Sequence, residues 1–255
     1  MISSSPRRHA LARTRWRLQD IGQVVPWLRG KSVSAVCRWL HHLGFSRKQA
    51  QKYAHSPDPL YDCKWRAILQ AYGQMCAQPD QLRVLFMDEM SYYRQPNPAP
   101  AYHRRGHTQP RAQQAARANT QTRLVASLDG YSGQVVYQQR NQITLSIFTS
   151  FCQQLRHAYP QPWQLWLVLD NWPVHTSPVA RAALADQAIT PLFLPTYASW
   201  LNPIEKLWRW LRQDIIHLHA YATDLEPLRA QVCTFLDQFA THSPQLLHYV
   251  GLPVD

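Results

Sequence analysis

Three acidic residues stand in the sequence where catalytic carboxylates are often found. Asp88 and Asp170 each end a continuous apolar run, and Glu205 lies in the first turn of a predicted helix, with 34 residues between Asp170 and Glu205. Three carboxylates can bind two divalent metal ions, one of which activates water or a 3′-hydroxyl while the other stabilises the leaving oxygen of a phosphodiester. Oxygen ligands favour Mg²⁺ or Mn²⁺. The spacing therefore predicts a metal-dependent phosphoryl-transfer site formed by these three residues.

The choice between Asp88 and its neighbour Glu89 stays open at the level of the sequence. Adjacent side chains of a strand point to opposite faces, so only one of the two can face the site. Asp88 is preferred, because an acid that directly follows the apolar residues VLFM is costly to bury unless another group pairs with it. A further acid, Asp129, is interpreted as a residue of a hairpin turn and not as a member of the site.

The other two acids also have structural interpretations. Asp170 can simply belong to a turn that ends a strand. Glu205 can form a capping box with Asn202 at the N-cap and Pro203 at the first helical position. This role is compatible with metal binding, because the positive end of a helix favours an ionised carboxylate. His175, five residues after Asp170, is interpreted as a packed or surface histidine in preference to a ligand of phosphate or water.

The elements that carry these acids have the pattern of an α/β domain. Residues 82–90 and 163–170 are continuous apolar runs, which are typical of strands covered on both faces. Residues 122–140 resemble a hairpin, and 190–194 a short strand. Helices are predicted at about 143–158, 177–188 and 203–217, and a final helix runs from a capping box at 223–226 to about 240. A hairpin followed by alternating strands and helices predicts a mixed sheet flanked by helices, with functional groups at the strand ends.

Charge divides the chain unevenly. Residues 1–80 contain 13 Lys and Arg against 4 Asp, whereas residues 81–255 contain 14 Lys and Arg against 11 acids. A basic first third is typical of a module that binds a polyanion such as DNA. The chain has no apolar run approaching 18 residues and no apolar secretory signal, and its five cysteines are scattered. Reduced thiols and a cytoplasmic location are therefore expected.

The basic part has the pattern of two short helices around a tight turn, which is typical of a small all-α helix-turn-helix domain. Ser32 is the predicted N-cap of the second helix and Gly44 the residue that ends it. Val33, Val36, Leu40 and Leu43 are expected to face inward. In a helix-turn-helix the second helix enters the major groove. Any other small helical bundle is the alternative.

Candidate DNA contacts are basic, polar or aromatic side chains on predicted outer surfaces. On the second helix and after it they are Ser34, Arg38, Trp39, His42, Arg47, Lys48 and Lys52. Arg104 and Arg105 can bind phosphate, and Arg209 and Arg212 share the helix face of Glu205. The Pro-containing break at 55–59 is interpreted as a linker. The predicted organisation is a DNA-binding arm at 1–56, a linker and helix at 57–80, and a catalytic domain at 81–255.

Three blocks of sequence, VLFMDEMSYY, LVLDNWPVH and LPTYASWLNPIEKLWRWLR, resemble the catalytic blocks of mariner-like bacterial insertion-sequence transposases, the DDE-type endonucleases. The resemblance covers about residues 82–240. It implies a ribonuclease-H-like fold with a five-stranded mixed sheet and a catalytic triad of Asp88, Asp170 and Glu205. It also implies that this triad binds two Mg²⁺ or Mn²⁺ ions. It also implies a homodimer that cuts DNA at terminal inverted repeats, joins the ends at TA targets, and works in the bacterial nucleoid.

The chain departs from that family pattern in two places. Relatives often carry two helix-turn-helix units, whereas this chain has room for one, so a shortened or frameshifted product is expected as an alternative to a complete one. Ala198-Ser199-Trp200 stands where many relatives have Ser-Pro. Two other functions stay open, namely a catalytically inactive DNA-binding remnant and a host repair nuclease of ribonuclease-H-like fold.

Overall fold

The chain divides into two units, Met1–Tyr53 and Ala54–Asp255. The computed structural model of the protein describes residues 5–48, 55–106, 108–116, 118–160 and 163–254. The candidate phosphate contact Lys52 lies outside these residues. Within these ranges, no helix has the length and apolar character needed to cross a membrane.

The first unit contains the two predicted helices, α1 (Leu18–Val24) and α2 (Val33–His42). A 3-10 turn at Pro26–Leu28 separates them. Their small core consists of Ile21, Val25, Leu28, Val36 and Leu40. The helices themselves are present as expected, and their assignment as a DNA-binding helix-turn-helix stays a prediction.

Both predicted ends of α2 are confirmed. The Ser32 hydroxyl oxygen accepts a hydrogen bond from the Ala35 N–H at 3.2 Å, and Gly44 adopts a left-handed conformation with φ of 80°. The prediction that Val33 and Leu43 face inward is wrong, since they are 44% and 50% exposed. Within the described part of this unit α2 packs on one side only, against α1 and the 3-10 turn. Packing against these two elements buries only a narrow stripe of this ten-residue helix, which consists of Val36 and Leu40.

The second unit is built on a five-stranded mixed sheet, as predicted. Its strands are β1 (Leu82–Tyr93), β2 (Gln121–Asp129), β3 (Val135–Arg140), β4 (Gln164–Leu169) and β5 (Ile189–Phe193). Their order in the sheet is β3-β2-β1-β4-β5. The β1–β2 and β2–β3 pairs are antiparallel, whereas the β1–β4 and β4–β5 pairs are parallel.

Helices cover both faces of this sheet. They are α3 (Tyr61–Ala77), α4 (Leu145–Ala158), α5 (Pro173–Thr176), α6 (Pro178–Asp186), α7 (Ile204–Leu211), α8 (Glu226–Asp237) and α9 (Pro244–Val250). Two apolar clusters result, one that includes residues of α3, α7, α8 and α9 and another that includes residues of α4 and α6. The predicted helix 203–217 is in fact α7 followed by a π-helical turn, Arg212–Ile216.

Burial on both faces explains the continuous apolar run of β1. Val84 and Phe86 belong to the cluster on the α7 side, and Leu85 and Met87 belong to the cluster on the α4 side. Because side chains alternate along a strand, this pattern directs residue 88 toward α7 and residue 89 toward α4. The two candidate acids therefore lie on opposite faces of the sheet.

The expectation that Asp88 ends its strand is wrong, because β1 continues to Tyr93. The pairing of β1 with β4, however, stops at Phe86 and Val168, and beyond that point β1 pairs only with β2. Asp88 lies two residues past this last pair, and Asp170 directly follows β4. The two acids therefore lie where two parallel strands diverge, a common position for functional groups in α/β folds.

Candidate active site

Asp88 is held on the α7 side of β1 by a buried tryptophan. The indole N–H of Trp208, a fully buried residue of α7, donates a hydrogen bond to Asp88 Oδ2 at 2.8 Å. Burial raises the pKa of Asp88 to about 7, and the negative charges of Glu205 and Glu89 contribute to this rise. Ionising Asp88 is therefore costly in the protein alone, and a cation beside it would relieve that cost.

Glu205 reaches the same place from the first turn of α7. Its helix buries Ile204, Leu207, Trp208 and Leu211 against the sheet. Glu205, Asp88 and Asp170 together line a cleft of about 560 Å³, which we call the main cleft. The three predicted catalytic carboxylates are therefore brought to one cavity, although they come from a strand, a strand end and a helix.

The predicted capping box at the start of α7 is wrong. The helix has no side-chain cap, and Asn202 instead donates from Nδ2 to the Met87 carbonyl oxygen at 2.8 Å. Met87 lies one residue past the last β1–β4 pair, so the Asn202 amide takes the place of a missing strand partner. Glu205 makes no side-chain hydrogen bond within the described residues, and its carboxylate is left to the cleft.

Asp170 is oriented by two donors from the turn that follows β4. Its Oδ1 accepts the Trp172 N–H at 2.9 Å and lies 2.8 Å from His175 Nδ1. Burial acts to raise the pKa of Asp170, but the hydrogen bonds from His175 and the Trp172 backbone outweigh it, and the pKa lies below its usual value. Asp170 is therefore ionised at neutral pH.

His175 connects Asp170 with Glu89. Its Nε2 lies 2.9 Å from Glu89 Oε1, and the residue is only 1% exposed. Burial acts to lower the pKa of His175, but the hydrogen bonds to Asp170 and Glu89 outweigh it and raise the pKa to about 9. The interpretation of His175 as a packed histidine is confirmed. Its two carboxylate partners could not be read from the sequence, which offers only the five-residue spacing to Asp170.

A second cleft opens on the Glu89 side of β1. It has a volume of about 500 Å³, and Asp88 and Asp170 line it as well as the main cleft. Its other lining residues include Glu89 and Arg123. Arg123 lies in the middle of an ordinary strand pattern, so the sequence alone gives no sign of a functional role for it. Carboxylates on one wall and a guanidinium among the other lining groups suit a phosphate-bearing ligand with bound cations.

The interpretation of 55–59 as a linker is wrong. The Ser56 hydroxyl donates to the Thr196 carbonyl oxygen at 2.6 Å. Asp58 Oδ2 accepts from the Thr196 N–H at 2.8 Å and lies 3.2 Å from its hydroxyl. Thr196 belongs to the wall of the main cleft. These residues therefore anchor a loop of the cleft, which a Pro-rich local pattern cannot indicate.

A partly buried ion pair holds this anchor in place. The Lys64 ammonium lies 2.8 Å from Asp58 Oδ2, and the Asp58 side chain is 5% exposed. Lys64 first, and then the Thr196 N–H, keep the pKa of Asp58 well below its usual range. The next residue of the loop, Tyr197, has a φ of 56°, which is uncommon for a residue other than glycine. Such a backbone conformation needs surrounding contacts to maintain it.

The predicted DNA contacts lie on the surface, but not in the two clefts. Arg104 and Arg105 are exposed between β1 and β2, Arg209 is exposed on α7, and Arg212 is partly exposed. None of these four lines either cleft or forms a salt bridge with another described residue. In the first unit, the exposed candidates are Ser34, Arg38, Trp39, His42, Arg47 and Lys48.

The donor chemistry of the main cleft fits a hard divalent cation. Its three carboxylates supply only oxygen ligands, as Mg²⁺ and Mn²⁺ prefer. Asp170 Oδ2 accepts no hydrogen bond from a described residue, so it is available to a cation. Among the described residues, no three Asp, Glu, His or Cys side chains lie close enough together to form a complete cluster of metal ligands. Binding of one cation by all three carboxylates therefore requires their side chains to move within the cleft.

Comparison with known sequences identifies related proteins. Residues 83–229 match the family described as DDE superfamily endonuclease. The chain is also 24% identical over 222 residues to the insertion element IS630 uncharacterized 39 kDa protein of Shigella sonnei. This alignment covers 86% of the chain but 63% of the relative, so the chain spans less than two thirds of that protein's length.

Comparison with solved structures supports the same fold. The Mos1 strand transfer complex matches with a TM-score of 0.67 and 16% identity, over 92% of this chain and 70% of that one. The Mos1 mariner paired end complex with Mn matches with a TM-score of 0.59 and 17% identity, over 86% of this chain and 67% of that one. At these identities the likeness concerns the fold, and the predicted ribonuclease-H-like sheet flanked by helices is confirmed.

Proposed function

Because the chain belongs to the DDE superfamily endonuclease family, we propose that it is a transposase, which cleaves DNA phosphodiesters and transfers the cut strand to new DNA. The observation that carries the proposal is the main cleft, where Asp88, Asp170 and Glu205 meet on a ribonuclease-H-like sheet. Relatives that include a strand transfer complex and an insertion-element protein support it.

In this proposal Asp88, Asp170 and Glu205 bind two divalent cations, Mg²⁺ or Mn²⁺. When bound, such ions supply activation of water or a 3′-hydroxyl and stabilisation of the leaving oxygen. Asp88 is proposed in preference to Glu89, because Asp88 shares the main cleft with Glu205 whereas Glu89 points to the other face and pairs with His175. A related structure that contains Mn supports the choice of metal.

The basic first unit is proposed to bind double-stranded DNA at terminal inverted repeats. Residues 1–80 carry most of the excess positive charge. Arg38, Trp39 and His42 are exposed on α2, and Arg47 and Lys48 follow it. Phosphate contacts by such residues make affinity fall steeply with salt concentration. A homodimer on DNA, a TA-type target and a location at the bacterial nucleoid complete the proposal.

The test uses labelled inverted-repeat DNA incubated with Mg²⁺ and the whole protein. Wild type is compared with Asp88→Asn, Asp170→Asn and Glu205→Gln, each of which replaces one carboxyl group by an amide at nearly constant volume. Asp186→Asn is the matched control, since Asp186 is exposed at the end of α6. We expect cleavage by wild type and the control only. Equal cleavage by all five proteins would contradict the assignment of the triad.

A catalytically inactive DNA-binding protein is the second candidate. It is favoured by one observation, the absence of a complete cluster of metal ligands among the described residues. Calorimetric titration with Mn²⁺ separates the two candidates. Binding that Glu205→Gln removes would support the enzyme, whereas no binding together with intact DNA affinity would support the inactive protein.

A further inference from the structure

A buried histidine joins one proposed metal ligand to an acid that the proposed chemistry does not use. His175 Nδ1 lies 2.8 Å from Asp170 Oδ1, and His175 Nε2 lies 2.9 Å from Glu89 Oε1. Both ring nitrogens therefore have a carboxylate oxygen within hydrogen-bond distance. With the ring only 1% exposed, water cannot readily replace either partner.

Packing holds the imidazole ring in one orientation. The Phe148 ring lies 5.1 Å from it, and the Trp172 ring meets it edge-on at 5.4 Å. The His175 backbone N–H also donates to the Trp172 carbonyl oxygen at 2.8 Å. Ring and backbone are both restrained, so the direction in which Nδ1 points is set by the fold rather than by Asp170 alone.

The contact with His175 decides which oxygen of Asp170 is available. Asp170 Oδ1 meets both the Trp172 N–H and His175 Nδ1, whereas Oδ2 accepts no hydrogen bond from a described residue. An Asp side chain without these two contacts can rotate and present either oxygen. Held by them, Asp170 keeps Oδ2 free of hydrogen bonds from the described residues, and thus open to a cation, before any cation arrives.

Glu89 is committed to the histidine. Its side chain is 13% exposed and lies on the α4 side of β1, and it lines the second cleft but not the main cleft with Glu205. Its Oε1 is the partner of the ring nitrogen that faces away from Asp170. Carboxylates in this position fix the orientation and tautomer of a histidine in many metal sites.

Building on the proposed function, we propose that His175 is a positioning residue for Asp170 and that Glu89 holds His175 in place. Neither residue binds the cation in this arrangement. Groups that orient a ligand in this way typically change metal affinity or activity about 10-fold to 100-fold when they are removed. The inference also gives Glu89 a role that differs from that of its neighbour Asp88.

The first experiment measures Mn²⁺ binding by calorimetry, without DNA, for wild type, Glu89→Ala and His175→Gln. We expect the dissociation constant to rise about 10-fold to 100-fold in both variants. Glu89→Gln keeps an oxygen that can accept from His175 Nε2, so its dissociation constant for Mn²⁺ should lie closer to that of wild type than to that of Glu89→Ala. His157→Gln is the matched control, since His157 is exposed on α4. Thermal unfolding of each variant identifies any that fails to fold, and if Glu89→Ala fails, His175→Gln carries the comparison.

The second experiment separates positioning from direct binding. In cleavage assays, Glu89→Ala should raise the Mn²⁺ concentration for half-maximal rate far more than it lowers the rate at saturating Mn²⁺. In ¹⁵N-histidine spectra of the metal-free protein, the Nε2–H signal of His175 should be slow to exchange in wild type and lose that protection in Glu89→Ala.

Each remaining outcome overturns a defined statement. A Glu89→Ala variant that binds Mn²⁺ as tightly as wild type overturns the positioning role, and one that loses binding as completely as Asp170→Asn makes Glu89 a ligand and also overturns it. If the affinities follow the expected pattern but wild type cuts no DNA, only the proposed function fails. Absence of Mn²⁺ binding by wild type overturns both.

Discussion

Asp88→Asn is expected to stabilise the metal-free protein while abolishing DNA cleavage. Burial, and then the charges of Glu205 and Glu89, raise the pKa of Asp88 from 3.8 to about 7. The folded protein therefore keeps this proton up to about pH 7, whereas the unfolded chain releases it near pH 4. The contribution of Asp88 to stability is fully present below about pH 4 and is lost as the pH rises toward 7. An Asn at position 88 stays neutral and avoids this loss.

The size of the effect follows from the pKa change. A rise of about 3 units corresponds to about 4 kcal/mol, because each unit is worth about 1.4 kcal/mol. Asp88 is partly exposed to the cleft, and water there reduces the penalty. We therefore expect Asp88→Asn to raise the free energy of unfolding by about 2–4 kcal/mol near pH 8, and by less than about 1 kcal/mol near pH 4.

Urea unfolding in the presence of a chelator, followed by tryptophan fluorescence, measures this difference. Asp186→Asn, at an exposed position, is the control and should show no pH-dependent gain. Adding Mg²⁺ at about 100 times its dissociation constant should stabilise wild type by about 2.7 kcal/mol and the Asp88 variant by much less. A difference between wild type and Asp88→Asn that does not change with pH would refute the reasoning, since it would mean that burial and like charges do not act on this carboxyl group.

Three further changes test the surrounding structure. Asp129→Asn leaves the partly buried Arg83 guanidinium without its carboxylate partner at 3.1 Å, and urea unfolding should show a loss of about 3–5 kcal/mol. Asp58→Ala frees the loop at Thr196, so DNA cleavage should fall about tenfold or more while DNA affinity is kept, and hydrogen exchange of the Thr196 amide should quicken. Ser32→Ala removes the N-cap of α2, and the helical circular dichroism signal of the first unit should report a loss of about 1 kcal/mol in its melting. An unchanged free energy of unfolding, an unchanged cleavage rate and an unchanged melting transition would contradict the first, second and third of these predictions, respectively.

Local sequence patterns were sufficient to predict a structural feature wherever that feature depends on a single strand, helix or turn. The apolar runs around Val84 and Val168 predicted doubly covered strands, because a strand with helices on both faces buries every side chain. Asp129 was correctly interpreted as a turn residue, and its Oδ1 accepts the Tyr131 N–H at 2.8 Å. The α2 ends were predictable for the same reason, since a cap at Ser32 depends only on the following three residues.

The same kind of reasoning failed where a distant residue competes for a local group. Asn202 was expected to cap α7, but its side chain donates to Met87, 115 positions away in the sequence. The segment around Asp58 was expected to be a linker, but it is bonded to Thr196, 138 positions away. A local pattern assigns a polar side chain to its neighbours, and the folded chain offers it partners that become available only when elements pack together.

The sequence by itself determined the five strands, most of the helices, the basic first third and the statement that Asp88 and Glu89 point to opposite faces. These properties depend on periodicity and composition, which any short window of the chain contains. Only the tertiary structure decided which face holds the main cleft, because that depends on where β1 leaves β4 and on which side α7 packs. It also decided that Trp208 holds Asp88 and that His175 joins Asp170 to Glu89. Contacts between residues 120 and 86 positions apart arise from chain closure and side-chain packing, for which no local pattern carries a signal.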